Sequence, residues 1–236
     1  ESFGLETYSP DQDKDLTDYA VFDSGDPELC IGDAKIALAQ LEERAEQIFS
    51  DGKIPCMIGG EHLVTLGAFR AAFRKYPDIR ILHFDAHADL RDDYLGVQLS
   101  HACVLRRCWE LCGDGKIFQF GIRSGDREEF RWGRDHVCTH KFDLNGLEER
   151  LERLGDTPVY FTLDLDVLDP SVFPGTGTPE PGGVSFEELR KAVTLVCQKA
   201  NVVACDVNEL SPPYDQSGVS TMVACKVVRE MLLALR

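Results

Sequence analysis

The chain predicts an α/β fold whose mainly parallel sheet is covered by helices on both faces. Two observations carry this. Apolar, β-branched-rich runs of strand length alternate with amphipathic stretches of helical length along the sequence. Polar, acid-rich loops follow four of those runs, where the carboxyl ends of parallel strands form sites. No internal repeat, low-complexity tract or Pro/Ser-rich linker interrupts the pattern, so residues 1–236 are read as a single domain.

A first helix is expected over 34–50, where Ile36, Leu38, Leu41, Ala45 and Ile48 give a broad apolar face at helical spacing. Strands follow at 54–58, 79–84, 117–122, 137–142, 159–165 and 202–207. Amphipathic helices fall between and after them, at 61–76, 100–111, 128–135, 147–154, 186–200 and 218–235. With 236 residues, 43% of them hydrophobic, the chain can bury a well-developed core. No apolar run approaches the roughly 20 residues of a membrane span. No basic n-region followed by an apolar stretch reads as a signal peptide, which gives a cytoplasmic expectation.

A net charge of -16 argues against nucleic acid and anionic membrane as partners and suits a cationic ligand. The nine cysteines are scattered without a CxxC pair, and read as buried, reduced thiols.

Two stretches place acids and imidazoles on every second residue: Asp85-Ala86-His87-Ala88-Asp89 and Asp164-Leu165-Asp166. Residues i, i+2 and i+4 of a strand share a face, so each stretch is expected to present a row of ligands at a buried strand end. Four aspartates so close repel one another and are costly to bury unless a cation neutralises them. The economical answer is a metal site holding two ions. Gly59-Gly60-Glu61-His62 adds another candidate ligand, His62, on a tight strand-to-helix turn that paired glycines allow. No Walker lysine follows to make that turn a phosphate cradle. Six ligands (His62, Asp85, His87, Asp89, Asp164 and Asp166) without a thiolate suit Mn²⁺ better than thiolate-bound zinc. Two such ions ~3.5–4 Å apart hold and ionise one water, a hydrolytic nucleophile at neutral pH.

His83 lies deeper in its strand and reads as a supporting histidine, while His136 and His140 read as structural. Asp169, ahead of Pro170, reads as a turn or capping residue. The run 175–183, Gly-Thr-Gly-Thr-Pro-Glu-Pro-Gly-Gly, reads as a shaped loop over a site, with Thr178 able to offer a hydroxyl to substrate. Glu209 stands at another strand end, as a metal ligand or as the partner of a cationic substrate. His101 opens a helix near the first acid row; proton transfer is the favoured role over substrate contact or helix start.

Together, Gly-Gly-Glu-His at 59–62, Asp-Ala-His-Ala-Asp at 85–89, Asp-Leu-Asp-Val-Leu-Asp-Pro at 164–170 and Glu209 resemble the ureohydrolases, the family of arginase, agmatinase and their relatives. The bacterial agmatinase branch is the most similar, with support from 4–10, 100–102, 115–124 and 175–183. The resemblance implies a three-layer α/β/α, arginase-like fold and a di-manganese centre. His62, Asp85, Asp89 and Asp164 would hold one Mn²⁺, and His87, Asp85, Asp164 and Asp166 the other. It further implies that a metal-bridging hydroxide attacks the guanidinium carbon of agmatine, giving putrescine and urea. Asp89 would assist that hydroxide, Glu209 would orient the guanidinium, and His101 would relay a proton to the leaving amine. Assembly as a homo-oligomer, a trimer or hexamer, is implied too. Family members usually carry a longer amino-terminal segment, with an early strand and a glycine-rich loop. Its absence is the expected departure, leaving a sheet edge and part of the pocket open. The alternatives are another amidinohydrolase, acting on guanidinobutyrate, arginine or formimidoylglutamate, and a non-catalytic metal-binding fragment.

Overall fold

The computed structural model describes residues 5–235. It opens with a hairpin that no sequence signal marked, β1 (Tyr8–Ser9) antiparallel to β2 (Lys14–Asp15). The alternating elements follow as α1 (Ala34–Ser50), β3 (Cys56–Ile58), α2 (Val64–Lys75), β4 (Arg80–Phe84), α3 (Val104–Cys112) and β5 (Ile117–Ile122). They continue as α4 (Arg127–His136), β6 (Cys138–Lys141), α5 (Leu147–Leu154), β7 (Pro158–Asp164), α6 (Phe186–Lys199), β8 (Asn201–Asn208) and α7 (Val219–Ala234).

Local chemistry fixes several of these boundaries. The Asp33 carboxylate accepts from the N–H groups of Lys35 and Ile36 and starts α1. Asp126 with Glu129, and Ser185 with Glu188, form reciprocal capping boxes at α4 and α6. The helix expected over 61–76 begins only at Val64, because residues 59–62 turn inward to the site. The helix expected over 100–111 is divided, with a 3₁₀ turn (His101–Cys103) ahead of α3. The strand expected over 159–165 stops at Asp164, whose side chain accepts from the Asp166 N–H and starts another 3₁₀ turn (Leu165–Val167).

The central sheet has the order β3–β8–β7–β4–β5–β6, with every pair parallel. Alternate strand residues feed two cores. Leu82, Phe84, Phe161, Leu163 and Val207 join Leu151 of α5, Val193 of α6 and Met231 of α7 on one face. Ile81, Ile117 and Tyr160 join Phe69 of α2 and Leu105 of α3 on the other, with α1 packed on α2. This is the predicted three-layer α/β/α arrangement. At the amino end, Ser9 donates to Glu230 Oε2 (2.8 Å) and Arg229 reaches the carbonyls of Glu6 and Tyr8, which fastens the hairpin to α7. All nine cysteines are free, but Cys138 and Cys225 are exposed rather than buried as expected. No described helix is long and apolar enough to cross a membrane.

Candidate metal centre

Four adjacent strands, β3, β8, β7 and β4, end at one place, so the loops singled out from sequence converge because the sheet order makes them neighbours. Phe84 is opposite Leu163, and Asp164 is opposite Asn208. Asp85, one residue beyond Phe84, therefore emerges beside Asp164.

His62 Nδ1 stands 3.2 Å from Asp85 Oδ2, 3.1 Å from Asp89 Oδ2 and 3.3 Å from Asp164 Oδ2. His87 Nδ1 lies 2.9 Å from Asp166 Oδ2 and 3.5 Å from Asp85 Oδ1. Asp85 thus touches both imidazoles and joins the two groups. His62 and all four aspartates are buried, while the His87 side chain remains partly open to solvent.

The acids do not lie along one alternating strand face, as expected from their spacing. Residues 85–89 lie beyond β4, and only His87 continues a sheet-like bridge, to Ser124. Asp89 has a left-handed backbone (φ 53°) and Asp166 sits in a 3₁₀ turn. The acids converge because turns aim them, with local strain at Asp89 and at Glu209 (φ 66°), a cost typical of functional sites. Gly59 is required for the same compactness, since a Cβ there would fall 2.2 Å from Asn208 Oδ1.

Burial disfavours a charge on His62, but the carboxylates of Asp164, Asp85 and Asp89 overcome it and hold the imidazole well above its ordinary value. Burial similarly opposes the charge on His87, and Asp166 and Asp85 push it up to about 12. Burial, then Asp166 and Asp85, raise Asp164 well above the usual carboxylate range. Burial and the Asp85 charge push Asp89 up to about 7. A bound cation would relieve this crowding of buried acids. The buried Nδ1 of His62 has no well-formed hydrogen bond although three carboxylates surround it. Such a donor set of oxygens and imidazole nitrogens fits a hard or borderline divalent ion, and the site can hold a metal.

His83 Nε2 donates to Asp85 Oδ2 at 2.8 Å, with Gln119 Nε2 against its Nδ1 at 3.1 Å. Its Nε2, Asp85 and His62 are also close enough together to serve as a ligand group. The Gln119 contact makes Nδ1 the acceptor and Nε2 the donor, which places His83 behind Asp85, as the sequence reading had it.

Glu209 Oε1 accepts from the His62 N–H (2.7 Å), and its own N–H donates to the Gly60 carbonyl (2.7 Å). Oε2 faces the glycine loop at Gly177. Thr178 Oγ1 is 3.4 Å from Asp166 Oδ2, so that loop does reach the acids. His101 is half-exposed at the rim, and Glu61 Oε1 accepts from both its N–H (2.8 Å) and its Nδ1 (3.2 Å). Asp169 does more than terminate a turn. It accepts from the N–H groups of Ser171, Gly182 and Gly183, and so ties the glycine loop back to β7.

Sequence reasoning missed Arg123 and Glu61. The Arg123 guanidinium contacts the carbonyls of Gly121, Asp166, Val167, Leu168, Glu180 and Pro181. A lone arginine immediately after the apolar strand 117–122 was its available signal.

The Arginase family model matches residues 1–234. The chain belongs to the arginase family. Among arginase-family relatives, agmatinase of Bacillus subtilis is 45% identical over 235 residues, covering 98% of this chain and 81% of the relative. Guanidinobutyrase of Pseudomonas aeruginosa is 33% identical, covering 91% and 71% of the two chains. The crystal structure of agmatine ureohydrolase from Thermoplasma volcanium superposes with a TM-score of 0.88 at 36% identity, covering 98% of this chain and 78% of that one. The arginase-family assignment accounts for the three-layer fold and for an acid-rich site at the carboxyl end of its sheet.

Proposed function

We propose that this enzyme hydrolyses the guanidinium group of agmatine, giving putrescine and urea, with two Mn²⁺ ions per subunit. The observation that carries the reading is the buried group of His62, Asp85, His87, Asp89, Asp164 and Asp166, with Glu209 and His101 beside it. The 45% identity to an agmatinase supports agmatine as substrate over guanidinobutyrate, whose hydrolase is 33% identical. The net charge of -16 suits a cationic substrate.

His62, Asp85, Asp89 and Asp164 would hold one ion, and His87, Asp85, Asp164 and Asp166 the other. When bound, the ions supply Lewis acidity and an ionised water at neutral pH. Glu209 orients the guanidinium through Oε2, while its other oxygen anchors the His62 N–H. Thr178 closes the substrate from the loop side. Asp89 would accept a hydrogen bond from the attacking water and help move its proton. The carbon–nitrogen bond to the alkyl amine breaks, and His101 donates the proton that the departing nitrogen needs. The reading carries a single domain over 1–236, a cytoplasmic location and a homo-oligomeric assembly, a trimer or hexamer.

The test is urea release from agmatine, arginine and guanidinobutyrate after Mn²⁺ loading, with Asp166→Ala as control. Release from agmatine, lost in the control, is expected. Release from another substrate alone moves the assignment within the family, and silence on all three defeats it.

His101 provides a second expectation. The Glu61 hydrogen bond holds its imidazole above the ordinary histidine value against the opposing effect of burial. The protonated donor is present below that raised value, so activity falls as pH rises through it. Glu61→Gln keeps the acceptor oxygen but removes the charge. The alkaline limb of the kcat profile should move to lower pH with KM little changed; an unmoved limb would remove His101 as the donor.

A further inference from the structure

Beneath the acids, one register position runs across the sheet as a polar row. Asp206 of β8 is opposite Thr162 of β7, Thr162 is opposite His83 of β4, His83 is opposite Gln119 of β5, and Gln119 is opposite Thr139 of β6. Such a row inside an otherwise apolar sheet is costly unless its hydrogen bonds are complete. Their directions can be traced. Thr139 Oγ1 donates to Gln119 Oε1 (2.8 Å), and Gln119 Nε2 donates to the Ala88 carbonyl (2.7 Å) and to His83 Nδ1 (3.1 Å). At the other end, Tyr160 Oη (2.5 Å), Thr162 Oγ1 (2.6 Å) and Asn208 Nδ2 (2.8 Å) all converge on Asp206. Three donors already serve its two oxygens, so this surrounding is completed by a carboxylate.

Thr162 has a single hydroxyl proton, and it points to Asp206. His62 Nε2 lies 2.9 Å from the same Oγ1. With that proton committed, Oγ1 can only accept, so Nε2 must carry a hydrogen. A neutral imidazole protonated on Nε2 has its lone pair on Nδ1, the atom surrounded by Asp85, Asp89 and Asp164.

We propose that Thr162, its hydroxyl held by Asp206, is a positioning residue that fixes the His62 tautomer and thereby sets the affinity of the metal position His62 serves. The proposal rests on the two-ion reading above. It treats the pair of metal positions as unequally dependent on the row, since His87 has no contact with Thr162 or Asp206 among the described hydrogen bonds.

The test is Mn²⁺ titration of the full chain, with free Mn²⁺ read by electron paramagnetic resonance, beside thermal unfolding of the metal-free protein. Thr162→Val removes the acceptor at nearly constant volume. It should weaken one of the two ions by roughly 10–100-fold, the usual cost of losing an outer-sphere partner, while leaving the other within about twofold. Thr162→Ser should restore both, and Tyr160→Phe, which removes a donor to Asp206 but not the Thr162 link, should leave both in place. Unchanged binding in the valine variant, equal weakening of both ions, or failure of serine to restore would each overturn the proposal. Should the valine variant not fold, the wild-type protein loaded with diamagnetic Zn²⁺ decides by ¹⁵N spectroscopy. Hydrogen on Nε2 of His62 supports the proposal and hydrogen on Nδ1 overturns it. Wild-type protein that binds no Mn²⁺ would instead overturn the metal reading beneath it, a result distinct from any of these.

Discussion

Asp164→Asn is expected to abolish turnover while making the metal-free protein more stable. The expectation follows from where the carboxylate is forced to sit. Asp164 is buried against Asp166 and Asp85, and burial followed by those two charges raises it well above the usual carboxylate range. A carboxyl raised in the folded state binds its proton more tightly there than in the unfolded chain. Its contribution is therefore fully present below the unfolded value and is lost as pH rises through the folded one. At neutral pH this buried carboxyl opposes folding, because the unfolded chain ionises it more readily, unless a cation compensates. Asparagine keeps Oδ1 as acceptor for the Asp166 N–H, the bond that starts the 3₁₀ turn, and removes the charge. Relief of this kind is worth about 0.5–2 kcal/mol, a rise of roughly 2–4 °C in Tm per kcal/mol for a chain of this size. The gain should grow as pH rises from the acid range toward neutrality.

The same change removes an oxygen shared by both proposed metal positions. Losing several kcal/mol of electrostatic stabilisation corresponds to roughly 10³-fold or more in kcat. Mn²⁺ should then raise the variant's Tm far less than the wild type's. Paired scans with and without Mn²⁺ separate the two effects. A metal-free variant less stable than wild type, or one that retains the full Mn²⁺-dependent rise, contradicts this account of the acid cluster.

Much of this was legible in the sequence because the fold and the acids leave local traces. Helices 34–50 and 147–154 and strand 117–122 match the structure residue for residue, because periodicity and flanking glycines or caps bound them sharply. The acids and imidazoles that the structure brings together stood out in the sequence because several aspartates at the end of an apolar run are costly to bury uncompensated. The geometry that unites them was less so. Alternation suggested a flat row, yet Asp89 depends on a left-handed backbone and Asp166 on a turn started by its neighbour's side chain. Such turns are decided by contacts between strands that are distant in sequence. The supporting row was harder still. Asp206 is a charge inside an apolar strand, a visible oddity, but Thr162 is an ordinary strand threonine until the register of β7 with β8 places the two together. Glu61 looked like part of a turn because its partner, His101, is 40 residues away.

Arg123 shows how a single unassigned side chain can govern the site. It leaves the end of β5 and reaches across to two segments beside the acid cluster. Asp166, Val167 and Leu168 belong to the turn that presents Asp166, while Glu180 and Pro181 belong to the glycine loop that carries Thr178. A guanidinium has five N–H donors in a rigid fork, which suits several carbonyls at once; an ammonium would reach fewer. Burial lowers its proton affinity from an already extreme value, and the carboxylates of Asp166 and Asp85 oppose that, so the charge is kept. Arg123→Lys should therefore cost roughly 2–4 kcal/mol of stability, the range for losing several charge-assisted hydrogen bonds at once. Its kinetic effect should be larger than its effect on metal affinity. A loop displaced by about 1 Å costs on the order of 10²-fold in rate, so kcat/KM for agmatine should fall by that order. Binding of the ion proposed for His62, Asp85, Asp89 and Asp164, whose side chains Arg123 does not contact, should change by less than about tenfold, the low end of what an outer-sphere loss costs. Urea-release kinetics and Mn²⁺ titration on one preparation distinguish this from general unfolding, because unfolding removes both together. Equal loss of metal and turnover would mean that Arg123 supports the sheet end as a whole rather than the loop over the acids.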